Sequence, residues 1–396
     1  MLHLHAQTIL TQLPSHRLLA LDVMRGLTIT AMILVNNPGS WSYMYWPLKH
    51  ADWHGWTPTD LIFPFFIFIV GMSITLSVNA MRLRGENNVS ILRAAVIRTL
   101  KLIALGWFLV LFYYNFNDPT FNWFDERLME LRVMGVLQRI GLVYMVALAC
   151  SLYFKPKQIA ATFILLLVTY SALMMYMPYT LPSGEIVKGL WLHGNNLSAW
   201  IDHTLLGASH VYYATAQPLS FDPEGLLSTL PAIATALSGV LCGLYLISEN
   251  NLQRQINRLC GCAVACLVVG YLLSPLIPIN KALWTPSYVL LSTGLAMFCY
   301  ALCSYIIDIR KVKLWSAPFL VFGANAILFF MFAGVLARIL IMIPIGEQSL
   351  KGFIYTQVLQ PYFDNYLASL LFSILFLIVS YMVMYACYKR NIFWKV

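Results

Sequence analysis

The sequence predicts an all-α fold, a polytopic transmembrane helix bundle of about ten spans. Three observations predict it. First, hydrophobic residues fill 60% of the 396 positions and charged residues only 10%, with a mean hydropathy of +0.73. A soluble chain carries roughly 25% charged residues to cover its surface, so lipid must cover much of this one. Second, apolar runs recur at the length of about 20 residues that a helix needs to cross hydrocarbon. Only helices satisfy their own backbone in lipid at such lengths. Third, the basic residues are unevenly shared between the two sides that these runs define.

The runs fall at roughly 18–37, 58–80, 92–114, 133–154, 158–178, 226–247, 259–277, 284–307, 316–341 and 366–388. Residues 1–17 hold no apolar core and no small-residue cleavage site, so no signal peptide is expected and the first run serves as an uncleaved anchor. With the N-terminus inside and ten alternating spans, 17 of the 25 basic residues fall on the inner side, among them Arg17, Arg25, Arg82, Arg98 and Lys395. Twelve of the 16 acids fall outside. The formal charge of +9 then divides into +13 inside and −4 outside, the pattern of the positive-inside rule. It signals topology and not a nucleic-acid partner, and it makes both termini cytoplasmic. No internal repeat, low-complexity tract or linker interrupts the chain, so residues 1–396 read as a single membrane domain.

The longest polar interval, about 179–225, becomes an extracytoplasmic loop region. It is rich in Trp, Tyr, His and Asn, including Trp191, His193, Asn195, Trp200, His203, His210, Tyr212 and Tyr213. Such aromatic faces and amide donors suit sugar rings, and they equally suit an ordered cap with interfacial aromatics. The spacing of the three histidines does not make a zinc site. The eight cysteines lie in or against apolar runs without His or acid partners, which reads as packing. No metal is expected.

Polar residues inside or at the ends of apolar runs are costly and are therefore functional candidates. Asp22 and Arg25 stand three apart at the inner mouth of the first run, the spacing of a helical ion pair. Asn36 ends that run on the far side. The loop that follows carries His50, Asp52, Trp53 and His54, and Thr57-Pro58-Thr59-Asp60 opens the second run with a helix cap. Of the two histidines, His50 is the candidate for catalysis. Gln138 and Arg139 open the fourth run, Asp222-Pro223-Glu224-Gly225 leads the sixth, and Asn280-Lys281-Ala282-Leu283-Trp284-Thr285 leads the eighth. Gly323-Ala324-Asn325 places an amide within the ninth. Each is explicable alone as a cap or ion pair. Together they predict a polar cavity in the outer leaflet.

These residues resemble the heparan-α-glucosaminide N-acetyltransferases and their bacterial NagX-type relatives over nearly the whole chain. The resemblance is carried by Asp22-x-x-Arg25-Gly26, Val35-Asn36 and, above all, the block His50-Ala51-x-Trp53-x-Gly55-x-Thr57-x-x-Asp60-Leu61-x-Phe63-Pro64. Gly135-Val136-Leu137-Gln138-Arg139-Ile140, Asp222-Pro223-Glu224-Gly225 and Asn280-Lys281-x-Leu283-Trp284-Thr285-x-Ser287-Tyr288 support it. It implies a transmembrane acetyltransferase that takes acetyl-CoA from the cytosol and acetylates an amino sugar on the far side. It also implies His50 as the active-site histidine with Asn36 as its neighbour, and a homodimer. On these grounds His50, Asn36 and Asp60 are the expected catalytic residues. Arg25, Gln138, Arg139, Lys281, Trp284, Ser287 and Asn325 are expected at the cofactor, acetyl-CoA. Asp52, Trp53, Asp222, Glu224 and Asn280 are expected at the saccharide acceptor. The short N-terminus points to a bacterial inner membrane, with the histidine facing the periplasm. The sequence carries extra residues between Asn36 and His50, including the aromatic stretch Trp41 to Trp46, which leaves the acceptor open.

Neutral His50 suits a general base, and an acyl-imidazole carrier is the second option. Asp60 suits the orienting carboxylate of a triad-like arrangement. A sugar transporter is the alternative reading, since ten spans and a polar cavity suit it too.

Overall fold

The computed structural model describes residues 6–7, 9–10 and 18–394. The expected lack of a leader within residues 1–17, Arg17 and Lys395 lie essentially outside the described residues. The described chain forms α1 (Leu19–Asn36), α2 (Ile62–Leu83), α3 (Asn88–Leu111), α4 (Val136–Tyr153), α5 (Pro156–Tyr176), α6 (Leu197–Leu206), α7 (Thr229–Ser248), α8 (Leu252–Leu273), α9 (Pro286–Ser304), α10 (Ala317–Ala324), α11 (Ala326–Met342), α12 (Leu350–Phe353) and α13 (Asn365–Lys389). Two two-stranded hairpins are the only sheets among the described residues: β1 (Tyr179–Thr180) with β2 (Ile186–Val187), and β3 (Pro344–Ile345) with β4 (Gln348–Ser349). Nine described helices are long and apolar enough to cross a membrane, and the bent pair α10–α11 makes a tenth crossing possible. The polytopic helix bundle stands.

Short polar turns between spans are closed by side-chain caps, which satisfy N–H groups that a helix start leaves without a partner. Asn87 accepts from Ser90 N at 2.8 Å to start α3, Asn251 from Arg254 N at 3.0 Å to start α8, and Asp364 from Leu367 N at 3.1 Å to start α13. Burial then sorts the spans. In α7, 72% of the crossing window is buried, against 22% in α5 and α8, so α7 runs through the middle of the bundle and the other two lie at its edge. Small residues let α2 and α7 touch backbone to backbone, the usual route to tight helix association in membranes. A Cβ on Gly71 would stand 2.0 Å from Ala236 O, and one on Gly239 2.1 Å from Phe68 O.

The ninth run differs from the expected single helix. It breaks at Asn325, and α10 and α11 meet at 75°. Asn325 leaves helical geometry (φ −129°, ψ 41°), and its side-chain amide binds the C-terminal segment, donating to Ile392 O at 2.7 Å and accepting from Trp394 N at 3.0 Å. A hydrophobic run alone does not reveal such a break.

Between α5 and α7 the polar interval folds as a cap of β1, β2 and α6. Asn196 starts α6 by accepting from Ala199 N at 2.9 Å. From α6, the buried Asp202 accepts from Leu226 N at 2.9 Å and Asp222 N at 3.2 Å. The cap is thereby fastened to the turn that leads into α7. That turn passes so close that a Cβ on Gly225 would lie 2.0 Å from Asp202 Oδ2.

Candidate active site

The loop from α1 to α2 is built around one carboxylate. Pro58 starts a short 3-10 turn, Pro58–Leu61, and Thr57 caps it. Asp60, with only 2% of its side chain exposed, accepts at Oδ2 from Ala51 N (3.0 Å) and Thr57 N (3.0 Å), and the Thr57 hydroxyl lies 3.2 Å away. That hydroxyl is also 2.6 Å from Lys49 O. Tyr288 donates to the Asp60 carbonyl at 2.5 Å, tying the loop to α9. The other carboxylate oxygen, Oδ1, lies 2.7 Å from His50 Nδ1. A carboxylate at Nδ1 holds the proton there and leaves Nε2 as the free base. The His50 ring is 47% exposed, so the pair is fixed at its root and open at its tip.

Lys281 stands against the same pair, Nζ 3.1 Å from His50 Nδ1, 3.3 Å from Nε2 and 3.7 Å from Asp60 Oδ1. Burial holds its ammonium below the ordinary lysine range, countered by the charges of Asp60 and Glu224. His50, Asp60, Lys281, Asn36 and Glu224 all line one cavity of about 260 Å3. Asn36, the last residue of α1, contributes an exposed side chain with no hydrogen bond to the described residues.

The cavity's second wall is an ion cluster. Arg132 grips Asp222 with two bonds of 2.7 Å and reaches Glu224 at 2.5 Å. Burial works against the Arg132 charge, yet the bonds and charges of Asp222 and Glu224 raise its pKa beyond that of free arginine. For Glu224, burial is likewise outweighed: Arg132, Arg139 and Lys281 hold it below the usual range. Beside the cluster lie Trp53, Tyr212 and Tyr213. Trp53 donates to Trp191 O at 2.7 Å and meets His193 edge-on at 4.9 Å. The cap thus delivers aromatic faces to the cavity.

A second cavity, of about 420 Å3, lies beside the first, and Met32 and Val136 stand in the walls of both. It is lined by apolar residues of α1, α2, α4 and α11, and by Arg25, Ser73, Ser77, Arg98, Tyr144, Asn325 and Trp394. Arg25 donates to Asp22 (2.9 Å) and Ser73 Oγ (2.8 Å). Arg98 lies over the Tyr144 ring at 4.7 Å, and its buried Nε has no hydrogen-bond partner among the described residues.

The structure therefore brings together most of the predicted site and sets some of it apart. His50, Asn36, Asp60, Asp52, Trp53, Glu224 and Lys281 line the first cavity, and Arg25 and Asn325 the second. The rest stand behind the walls. Asp222 is the hidden partner of Arg132. Asn280 is fully buried, donates to Trp53 O at 2.8 Å and holds the histidine loop. Gln138 lies against Gly106 and Gly135. Arg139 donates to Gly225 O at 3.0 Å and lies over Trp284. Trp284 donates to Thr235 Oγ1 at 3.1 Å, and Ser287 sits 3.2 Å from the Thr285 hydroxyl. Sequence reasoning missed Arg132, Ser73, Ser77, Arg98 and Trp394 as cavity residues. Arg132 was legible as a charge immediately ahead of the fourth run, but nothing in the sequence paired it with Asp222. The three cap histidines are used separately. His193 packs among aromatics, His203 lies 2.8 Å from Ser220 Oγ, and His210 lies 2.9 Å from Leu131 O.

Comparison with known proteins gives a consistent result. Residues 17–270 match the family model described as heparan-alpha-glucosaminide N-acetyltransferase, catalytic. The heparan-alpha-glucosaminide N-acetyltransferase of Mus musculus is 29% identical over 96% of this chain and 61% of its own length. That of Homo sapiens is 27% identical over 96% of this chain and 60% of its own length. The chain thus spans about three-fifths of the relatives it matches.

Proposed function

The chain belongs to the heparan-alpha-glucosaminide N-acetyltransferase catalytic family, and from that premise we propose that it is a transmembrane acetyltransferase. It moves the acetyl group of acetyl-CoA to the amine of an amino sugar at His50. The observation that carries this reading is the adjacency of the two cavities, which share Met32 and Val136 in their walls and set a basic chamber beside the histidine chamber. The basic chamber fits the donor. Arg25 and the unpartnered Arg98 Nε suit its phosphates, and the apolar stretch toward Met32 suits a slim arm. By the positive-inside rule the basic chamber opens to the cytoplasm and His50 faces the periplasm of a bacterial inner membrane. A homodimer accords with the family resemblance.

Bound acetyl-CoA supplies the thioester carbonyl. The chain's residues do the rest. Asp60 keeps the His50 proton on Nδ1, so Nε2 takes the proton that the attacking amine sheds. As the nitrogen–carbon bond forms and the carbon–sulfur bond breaks, that proton becomes available to the departing thiolate. Asp60 balances the imidazolium in between, and Lys281 keeps Asp60 ionised. Asn36 offers its amide N–H to the carbonyl oxygen, where negative charge develops. Glu224, Asp52 and the faces of Trp53 and Tyr212 receive the saccharide. Asp222, Asn280, Gln138, Arg139, Trp284 and Ser287 hold these groups from behind.

The test is acetyl transfer by purified protein with labelled acetyl-CoA and a panel of amino sugars, beside His50→Ala. Loss of transfer in the variant with donor binding retained is the expected result. Sugar uptake into proteoliposomes without any acetyl donor would instead favour a transporter, a class that also uses broken helices such as α10–α11.

A further inference from the structure

The C-terminal segment carries a feature that the chemistry above does not use. Trp394 lines the basic chamber, together with Arg25, Arg98 and Asn325. It is held there by a specific device. The break between α10 and α11 frees the Asn325 side chain, which donates to Ile392 O at 2.7 Å and accepts from Trp394 N at 3.0 Å. One amide thus holds the two consecutive peptide groups that flank Phe393, as a neighbouring strand would. Phe393, between them, meets Tyr388 edge-on at 5.9 Å, and Ile392 N returns to Cys387 O at 2.9 Å. Four contacts fix three residues, yet Trp394 as a whole remains 43% exposed. A large aromatic side chain positioned with care and left half open offers a face to something else.

The neighbours indicate what that is. Arg25 and Arg98 place positive charge in the same chamber, with Ser73 and Ser77 hydroxyls beside them. A cationic wall with an aromatic surface at its edge suits a nucleotide, whose phosphates meet the guanidinium groups while its base stacks. Resting on the acetyltransferase reading, we propose that Trp394 is the platform for the adenine ring of the donor. Asn325 is the positioning residue that fastens it there. The tail is then part of the donor site, and recognition of the nucleotide end depends on a helix break some 70 residues earlier in the chain.

The experiment compares binding of CoA and of pantetheine, which lacks the nucleotide, by isothermal titration calorimetry on the full chain in detergent. Removing one stacked base partner costs roughly tenfold or more in affinity. Trp394→Ala is therefore expected to reduce the preference for CoA over pantetheine by about tenfold, Trp394→Phe to keep most of it, and Asn325→Leu to act as Trp394→Ala does. An unchanged preference in Trp394→Ala, in a chain that binds CoA, overturns this proposal alone. So does tighter binding of both ligands, which makes the tail a plug. If the unaltered chain binds no CoA, the acetyltransferase reading falls and this proposal with it.

Discussion

Replacing Asp60 by Asn exchanges one carboxylate oxygen for an NH2 group, and the surrounding network dictates which way the new amide faces. Oδ2 of Asp60 receives Ala51 N and Thr57 N, both at 3.0 Å, with the Thr57 hydroxyl at 3.2 Å. Turning the amide NH2 toward those two N–H groups would leave buried donors facing a donor, at about 1–3 kcal/mol for each. The carbonyl oxygen must therefore keep the Oδ2 place, and the NH2 must take the Oδ1 place, 2.7 Å from His50 Nδ1. There it donates, so His50 Nδ1 becomes an acceptor and its proton moves to Nε2. The ring keeps its position and loses its lone pair toward the cavity. A positioned general base contributes roughly a hundred- to ten-thousand-fold, or about 2.7–5.4 kcal/mol at 1.36 kcal/mol per tenfold. Asp60→Asn is expected to lower kcat by that factor while leaving CoA affinity and the melting midpoint in detergent close to the parent. The assay is single-turnover transfer of labelled acetyl beside a thermal unfolding curve. A kcat within about threefold of the parent, on a folded protein, would refute the orienting role of the carboxylate.

Three further outcomes follow from the geometry. Arg132→Met strands Asp222 and Glu224, buried carboxylates that it now pairs, and breaking such a pair costs about 3–5 kcal/mol; the melting midpoint should drop sharply and recover in part when Asp222→Asn is added, and additive losses would argue against coupling. Asp202 is pushed up to about 7 by burial, with its hydrogen bonds from Leu226 and Asp222 and the Arg139 charge opposing and the Asp222 charge adding. Since its folded pKa lies above the unfolded value of 3.8, its contribution is fully present at acid pH and is lost as pH rises from about 4 through 7. Melting midpoints across that window should fall for the parent relative to Asp202→Asn, and parallel curves would contradict the shift. Gly239→Ala puts a methyl group 2.1 Å from Phe68 O, so α2 and α7 must part; a loss of roughly 1–3 kcal/mol is expected from such overpacking, and an unchanged unfolding midpoint would mean the crossing can yield.

Much of this was readable before any coordinates. The spans were legible because lipid allows no alternative to a continuous helix, and nine of them appear as long apolar helices. The histidine and its carboxylate were legible because both lie in one short loop, ten residues apart, beside a capped helix start. What was not legible depends on distance along the chain. The Arg132–Asp222 pair joins residues 90 apart, and the Asn325–Ile392 bond joins residues 67 apart. Neither leaves a periodic trace. Asn325 stood out as a polar residue in an apolar run, but its neighbours Ala324 and Ala326 are good helix formers and gave no sign of a break. Trp284 and Ser287 are expected at the cofactor and Asn280 at the acceptor. The structure uses them one layer further back, where they hold the loop and the helix ends.

The wall that the two chambers share has an electrical consequence. A membrane that stores energy as a voltage cannot tolerate a water-filled path from face to face, because protons would run down it. Here the two cavities share only Met32 and Val136. Both side chains are apolar, and a narrow apolar constriction resists filling by a continuous file of water. On the proposed acetyltransferase reading, the apolar seam that a slender thioester arm would have to cross is thus an insulator when it is empty, and acetyl transfer would not require the membrane to be discharged.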